Sequence, residues 1–323
     1  MNLLCWNCRG GGNPWTVRDL ATLVASHSPK LVFLCETRQK ATKMKRLRNW
    51  LGLRGFLDVD SNGMSGGLAL YWHENCVVEV LESDERYIDA KIKLEEGGTQ
   101  WRITCVYGEP RVENRPAMWD KLRRLKSLSD LPWLVLGDFN ETQWGFEHFS
   151  LSPRPEPQMA LFRDMMMSCG LIDLGFKGAP YTYDNMRTGA ANVRVRLDRA
   201  IATNDWRNLF AFNEVVHLAS GSSDHVPVLV RCEPEIYVPV QRHMRYEIFW
   251  ETDPSPKSDL GSLSSCLKGT MKKLHKWSTC RFGNVVKEIN KTRSQLEELM
   301  CMNADREEIR EVSDKLNSML YQE

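Results

Sequence analysis

Short apolar runs alternate with amphipathic stretches from the second residue to about residue 234. The apolar runs are rich in Val, Ile and aromatic residues and are bounded by Gly, Pro, Asn or Asp, as β-strands are. They predict a first strand that begins at residue 2. Further strands are predicted at 30–35, 67–72, 87–94, 102–107, 133–137, 196–202, 214–218 and 227–232. Apolar positions at helical spacing predict helices at 16–27, 40–51, 116–128, 158–169 and 204–210.

The order of these elements limits the fold class. Several strands follow one another between residues 67 and 107 without a helix between them. A purely parallel, doubly wound sheet does not have this order. We therefore predict an α/β or α+β fold, in which mixed or antiparallel sheets pack together with helices outside.

The pattern changes after Pro234, and we predict two parts, a domain at 1–234 and a linker with a helical segment at 235–323. Prolines recur up to Pro256, whereas helix formers dominate from Leu260 onward. A basic stretch from Lys268 to Arg293 precedes an acidic one, with apolar residues at helical spacing. The pattern is typical of a solvated helical hairpin or coiled arm, and a basic helix facing nucleic acid is the alternative.

The composition is globular, because 42 % of the 323 residues are hydrophobic and 26 % are charged. It excludes a disordered or collagen-like chain. No apolar run approaches the roughly 18–20 residues of a membrane span, and the first residues do not have the pattern of a signal peptide. The net charge of +1 argues against a positive field over the whole chain, but a local basic patch remains open.

The ten cysteines are spread along the chain, which favours a reducing compartment over a disulfide framework. Cys5 and Cys8 have the spacing of strand residues, and zinc binding is the alternative for this isolated C-x-x-C pair. We expect a nuclear or cytoplasmic monomer that is neither secreted nor bound to a membrane.

Polar residues recur at the ends of the apolar runs, where a sheet brings chain ends to a common rim. A single carboxylate after a strand is often only a cap or turn residue. Turns alone do not explain polar residues at the ends of so many strands. The residues concerned are Asn7, Glu36, Tyr107, Asp138, Asn140, Asp198, Asp224 and His225.

The chemistry of these side chains indicates a class of reaction. Carboxylate and amide oxygens are hard ligands that suit Mg²⁺ or Mn²⁺, whereas zinc prefers Cys and His. One histidine among acids suits phosphoryl chemistry, in which negative charge on phosphate oxygens must be neutralised. No glycine-rich phosphate loop ending in Lys-Ser or Lys-Thr occurs in the chain. The pattern therefore favours a metal-dependent phosphoester hydrolase.

The motifs around these residues resemble the endonuclease/exonuclease/phosphatase superfamily, which includes DNase I-like nucleases and apurinic endonucleases. The resemblance covers residues 1–233. It implies a four-layer α/β/β/α sandwich of two mixed sheets flanked by helices, here with a C-terminal helical extension. The motifs that carry it are Cys5-Trp6-Asn7-Cys8-Arg9-Gly10, Glu36-Thr37, Gly137-Asp138-Phe139-Asn140, Arg196-Leu197-Asp198-Arg199 and Ser223-Asp224-His225-Val226-Pro227.

The resemblance implies how the metal and the attacking water would be held. Asn7 and Glu36 would bind the metal ion, Mg²⁺ or Mn²⁺, with Asp224 close by. Asp138 would orient or deprotonate the water. Asn140 would fix this nucleophile or a phosphate oxygen.

It also implies how the phosphate would be held. His225 would contact the scissile phosphate and would be oriented by a hydrogen bond to Asp198. Tyr107 and Thr182 would contact the phosphate or the departing oxygen. Arg9 stands where some relatives carry a further acid, which leaves a second metal position open.

A closer resemblance is to the endonuclease of plant LINE-type (non-long-terminal-repeat) retrotransposon polyproteins. It rests on residues 4–14, 170–176, 180–185 and 196–200, and residues 276–285 are similar to the segment that precedes reverse transcriptase. It implies nicking of DNA to expose a 3′-hydroxyl for target-primed reverse transcription. A reverse transcriptase domain is expected in the intact polyprotein, and this chain has no Tyr/Phe-x-Asp-Asp polymerase motif.

Two other functions remain open. One is a phosphatase of the same fold that acts on a small or lipid phosphoester, and the other is a catalytically idle, domesticated DNA-binding protein. No candidate catalytic residue lies beyond residue 234, so we expect removal of residues 235–323 to leave nicking almost unchanged.

Overall fold

The computed structural model describes residues 1–61, 66–94, 99–232 and 285–322, with four isolated helical residues between 269 and 276. The predicted linker at 235–256, half of the basic stretch at 268–293 and residues 277–284 of the tail motif lie outside the described residues. Met1–Pro234 and Thr292–Gln322 form one compact unit, and Glu235–Lys291 with Glu323 forms another. Thr292–Gln322, which we predicted as part of a separate segment, thus belongs to the same unit as the first 234 residues.

The described strands are β1 (Asn2–Asn7), β2 (Leu31–Cys35), β3 (Gly55–Val59), β4 (Leu68–Trp72), β5 (Cys76–Ser83), β6 (Tyr87–Leu94), β7 (Gln100–Tyr107), β8 (Trp133–Asp138), β9 (His148–Phe149), β10 (Leu171–Asp173), β11 (Lys177–Gly178), β12 (Tyr183–Asp184), β13 (Arg194–Val195), β14 (Asp198–Thr203), β15 (Glu214–His217) and β16 (Val228–Arg231). The described α-helices are α1 (Pro14–His27), α2 (Ala41–Trp50), α3 (Arg115–Ser127), α4 (Glu156–Ser168), α5 (Asn204–Leu209), α6 (Val285–Cys301) and α7 (Arg306–Gln322).

These strands form two large mixed sheets and one small sheet. Within the described ranges, the first sheet has the order β11-β15-β16-β1-β2-β4-β3 and the second the order β10-β14-β8-β7-β6-β5. The pairs β1–β2 and β7–β8 are parallel, whereas most other neighbours are antiparallel. The small sheet has the order β12-β13-β9.

The alternation of side chains along the strands explains how the layers pack. In β1, Leu3 and Cys5 lie in the core between the two large sheets, whereas Leu4 and Trp6 pack with α1 and α2. Successive side chains of a strand point to opposite faces, so both faces of this sheet are covered. The second sheet packs its outer face against α3 and α4, for example through Val135. The predicted four-layer α/β/β/α sandwich of two mixed sheets is confirmed.

Cys5 and Cys8 are buried among apolar side chains. Burial raises the pKa of both thiols, that of Cys8 to about 12. Cys5 packs in the core between the large sheets and Cys8 packs on the other face of the first sheet, so the two residues serve as small apolar groups. Among the described residues, no helix is long and apolar enough to cross a bilayer.

Candidate active site

Two parallel strand pairs, one in each large sheet, bring four of the predicted residues to one edge of the sandwich. Asn7 ends β1 opposite the last residue of β2, and Glu36 follows directly. In the second sheet, Tyr107 at the end of β7 lies opposite Asp138 at the end of β8. Because parallel strands end at the same edge, their polar ends meet there.

Two hydrogen bonds join these ends across the two sheets. Asn7 Nδ2 donates to Asp138 Oδ2 over 2.9 Å, and the Tyr107 hydroxyl donates to Glu36 Oε1 over 2.7 Å. Asn7 and Asp138 are buried. The four side chains, which are distant in sequence, therefore form two hydrogen-bonded pairs at this edge.

His225 lies between two buried carboxylates. Its Nδ1 is 2.7 Å from Asp198 Oδ2, and its Nε2 is 3.9 Å from Asp138 Oδ2. The carboxylates are brought together because Asp198 pairs with Asp138 in the antiparallel register of β14 and β8. The backbone oxygen of His225 accepts a 2.9 Å hydrogen bond from the Trp6 indole, which anchors this residue to β1.

This arrangement favours a charged imidazole. Burial by itself lowers the pKa of His225, but the carboxylates of Asp198 and Asp138 outweigh it and raise the pKa to about 10. The pKa of Asp138 is raised as well, first because the carboxyl group is buried and then because Asp198 is close. Asp198 thus acts as the fixed partner of an imidazolium, while Asp138 is a carboxylate with increased basicity.

Asn140 follows β8 in a left-handed backbone conformation, with φ at 54°. Its backbone N–H donates to Asp138 Oδ1 over 2.8 Å, and its side-chain Nδ2 donates to the Gly108 oxygen over 3.0 Å. Asn is one of the few residues that tolerate this conformation. The turn places the Asn140 side chain beside Asp138 and fixes its orientation.

Glu36 is also left-handed, with φ at 51°. Burial raises the pKa of its carboxyl group, but the hydrogen bond from Tyr107 and the ion pair with Arg38 outweigh burial, and the pKa is lowered. Glu36 is therefore ionised at neutral pH. Arg38 was not among the predicted residues, although a basic residue directly after the Glu36-Thr37 motif is a usable signal.

The carboxylate of Asp224, which we predicted to lie close to the metal, forms an ion pair with Arg9. The Asp224 side chain is buried, whereas that of Arg9 is 53 % exposed. The Ser223 hydroxyl, for which no role was predicted, donates to the Asn7 backbone oxygen over 3.0 Å and links this loop to β1. The guanidinium of Arg9 therefore neutralises the carboxylate of Asp224.

Thr182 is buried, and its hydroxyl accepts the backbone N–H groups of Leu197 and Asp198, each over 2.9 Å. These bonds hold the start of β14 and therefore the carboxylate that orients His225. The substrate contact predicted for Thr182 stays a prediction, because the contacts seen here are with the protein backbone.

Two sets of residues could hold a cation. Asp138, Asp198 and His225 offer ligand atoms within 4.8 Å of one another. However, an imidazolium has no lone pair for a metal, and the pKa of His225 favours that form. The amide oxygen of Asn7 and the ionised carboxylate of Glu36 are the hard oxygen donors that Mg²⁺ or Mn²⁺ prefers, so this set fits better.

Comparison with known proteins agrees with this geometry. Residues 4–225 match the model of the Endonuclease/Exonuclease/phosphatase family. By sequence, no curated protein matches the chain. Among solved structures, the AP endonuclease LMAP from Leishmania major has a TM-score of 0.56 at 15 % identity, over 71 % of this chain and 86 % of that one.

Two further solved structures are similar. The endonuclease domain of TRAS1, a telomere-specific non-LTR retrotransposon, has a TM-score of 0.52 at 16 % identity, over 75 % of this chain and 99 % of that one. The 3′-5′ exonuclease NExo from Neisseria meningitidis has a TM-score of 0.53 at 18 % identity, over 72 % of this chain and 99 % of that one. At these identities the structures show a shared fold, whereas the family model spans more than half of the chain. The chain therefore belongs to the Endonuclease/Exonuclease/phosphatase family.

Proposed function

We propose that this chain is a divalent-metal-dependent phosphodiesterase that nicks DNA. The observation that carries the proposal is the position of His225 between two buried carboxylates, those of Asp138 and Asp198. Asn7 and Glu36 end their strands at the same rim. Oxygen donors for a cation therefore lie beside a positively charged imidazole, as hydrolysis of a phosphodiester requires.

In this proposal Asn7 and Glu36 hold Mg²⁺ or Mn²⁺. When bound, the cation polarises a phosphate oxygen and stabilises the departing oxygen. Asn7 donates its Nδ2 to Asp138, so its amide oxygen, which also accepts a 3.2 Å hydrogen bond from the Arg9 backbone N–H, is the atom that would bind the cation. Tyr107 orients the carboxylate of Glu36 through its hydroxyl.

The remaining residues act on water and phosphate. Asp138 takes the proton of the attacking water, for which its raised pKa suits it. Asn140 orients that water or a phosphate oxygen. The imidazolium of His225 compensates the negative charge that grows on the phosphate oxygens, and Asp198 keeps it charged and oriented. Tyr107 is proposed to contact the departing oxygen.

The biological role that we propose is that of a LINE-type retrotransposon endonuclease, with DNA and a reverse transcriptase domain as partners. The support is the set of motifs at 4–14, 170–176, 180–185 and 196–200 and the fold shared with the TRAS1 endonuclease domain. Such an enzyme has to leave a 3′-hydroxyl that a polymerase can extend.

A supercoiled plasmid tests the activity. We expect conversion to the open circle with Mg²⁺ and none with excess EDTA, and we expect the nicks to be extended by a DNA polymerase. The His225→Ala variant should lose the activity, whereas His73→Ala, a substitution away from the site, should keep it. Release of inorganic phosphate from phosphomonoesters without nicking would favour the phosphatase, and plasmid binding without cleavage would favour the idle DNA-binding protein.

A further inference from the structure

Two chain segments flank His225 and determine where it lies. One is the loop at 219–224, which leads directly into it. The other is β12, where Tyr183 forms an isolated bridge with His225, with its ring 5.0 Å from the imidazole. The backbone N–H of Asp184 donates to the Asp224 oxygen over 2.9 Å, so the two segments are also joined to each other.

The C-terminal helix pair, defined as Thr292–Gln322, contacts the first of these segments directly. Arg293 Nη1 donates to the Ala219 oxygen over 2.9 Å, and Asn317 Nδ2 donates to the Gly221 oxygen over 3.0 Å. A Cβ atom placed on Gly221 would lie 2.9 Å from the Cβ of Ser313. The loop backbone is therefore packed closely against α7 and is hydrogen-bonded at two carbonyl groups.

Arg293 also supports the loop through a fully buried carboxylate in α1. Its Nη2 donates to Asp19 Oδ1 over 2.7 Å, and Asp19 Oδ2 accepts hydrogen bonds from Ser220 over 2.7 Å and Ser222 over 3.1 Å. Asp19 thus holds two loop side chains while Arg293 neutralises its charge. Removal of the cationic partner of a buried carboxylate strongly destabilises the folded protein.

The same helix pair contacts the second segment. Arg306 Nη1 lies 3.2 Å from Asp184 Oδ2 in β12. Asn303 accepts a hydrogen bond from Arg194 of the neighbouring strand β13. Both segments beside His225 are therefore held from one side by residues that lie beyond the family match, which ends at residue 225.

We propose that Arg293, Asn317 and Arg306 are positioning residues for His225, and that the C-terminal helix pair is a required part of the active site. The inference rests on the proposed function. It replaces our expectation that residues 235–323 can be removed without loss of nicking. No residue of the pair needs to touch substrate, because its effect passes through the 219–224 loop and β12.

Arg293→Lys separates charge from position. Lysine keeps a cation for Asp19, but one ammonium group cannot reproduce the two directed contacts of the guanidinium to Asp19 and Ala219. We expect this variant to melt near the wild-type temperature while kcat for plasmid nicking falls about 10- to 100-fold with little change in KM, as small displacements of catalytic groups do. Asn317→Ala and Arg306→Ala should lower kcat in the same way.

Arg310→Ala is the matched control, because Arg310 is an exposed residue of α7 whose ion pair, with Asp314, lies within its own helix. It should leave kcat unchanged. Wild-type kcat in folded Arg293→Lys, Asn317→Ala and Arg306→Ala would overturn the proposal, whatever Arg293→Ala does to folding.

Hydrogen exchange gives a second readout that does not depend on nicking. We expect faster amide exchange at 219–225 and 183–184 in Arg293→Lys and Asn317→Ala than in wild type or Arg310→Ala. If wild type cleaves no phosphoester, the proposed function fails, and unchanged exchange in these segments would separately refute the positioning role.

Discussion

The imidazole of His225 presents Nδ1 to the carboxylate of Asp198 at 2.7 Å, and both groups are buried. This contact determines which ring nitrogen is left for chemistry, because Nδ1 is occupied and Nε2 points toward Asp138. It also joins β14 to the loop before β16, so one hydrogen bond connects two distant parts of the chain.

Replacement of His225 or Asp138 by Ala should reduce nicking by two or more orders of magnitude, because both groups act mainly in the transition state. The measurement is the initial rate of open-circle formation, with circular dichroism to show that each variant is folded. Normal nicking by folded His225→Ala would contradict the assignment of its role.

Asp198→Asn should lower kcat by about 10- to 100-fold, the usual effect of losing a group that orients another. In the His225→Ala background the same substitution should cost almost nothing further, since Asp198 acts through the imidazole. The rates of the two single variants and the double variant test this. Independent, multiplicative losses would show that Asp198 acts in another way.

A cluster of buried ion pairs supports β14, the strand that begins with Asp198. Glu147 accepts hydrogen bonds from Arg196 and Arg199, with contacts of 2.8–3.1 Å, and Asp173 binds the same two arginines at 2.8 Å. Glu147→Gln should lower the free energy of unfolding by about 3–5 kcal/mol, because it leaves buried guanidinium groups undercompensated. Urea denaturation measures this, and Glu156→Gln, at an exposed carboxylate, is the control.

The same group predicts how stability depends on pH. Burial raises the pKa values of Glu147 and Asp173, but Arg199 and Arg196 outweigh burial and lower both. Their contribution to the free energy of unfolding is therefore complete when the pH is above their pKa values in the unfolded chain, which are about 4. It is lost as the pH falls through their lower pKa values in the folded protein. The urea midpoint should fall steeply below about pH 4, and it should fall less steeply in Glu147→Gln.

Gly137 precedes Asp138 at a point where two backbones approach closely. A Cβ atom there would lie 1.9 Å from the Val106 oxygen of the neighbouring strand. Gly137→Ala should therefore destabilise the protein by about 1–3 kcal/mol. It should also displace Asp138 and so lower the rate of nicking. Thermal melting and kcat test this against Gly145→Ala, where a Cβ meets nothing within 4 Å. Equal melting temperatures would contradict the prediction.

The central strands could be predicted because their apolar runs are continuous and end in polar residues. Strand β8, for example, is buried throughout and ends in Asp138. The strands β3 and β5 were missed, since β3 is only half-buried and β5 largely exposed, at the edges of their sheets. Edge strands have no continuous buried face and so show weaker patterns.

The strand predicted at 196–202 begins two residues later in the structure. β13 ends at Val195 and β14 begins at Asp198. The break occurs because Thr182 accepts the N–H groups of Leu197 and Asp198, which are therefore not used in a strand ladder. These hydrogen bonds come from a side chain outside the segment, so local patterning could not show where β14 begins.

The sequence predicts which residues form the candidate site, but not the contacts that hold these residues in place. Sequence motifs identify residues such as Asn7 and His225, because a motif depends only on the residue types next to one another in the chain. The contact of Arg293 with Asp19 joins residues that are far apart in sequence and belong to different helices. Nothing near Arg293 distinguishes it from the other basic residues around it, so only the fold shows its partner.

The central position of β1 has a consequence for folding. Leu3 pairs with Leu31 on one side and with Val230 on the other, so one edge of this strand stays open until nearly the whole domain has been synthesised. Contacts so distant in sequence form slowly, and an open apolar strand can pair with another chain in the meantime. Slow synthesis at low temperature and refolding at high dilution should therefore raise the yield of monomer.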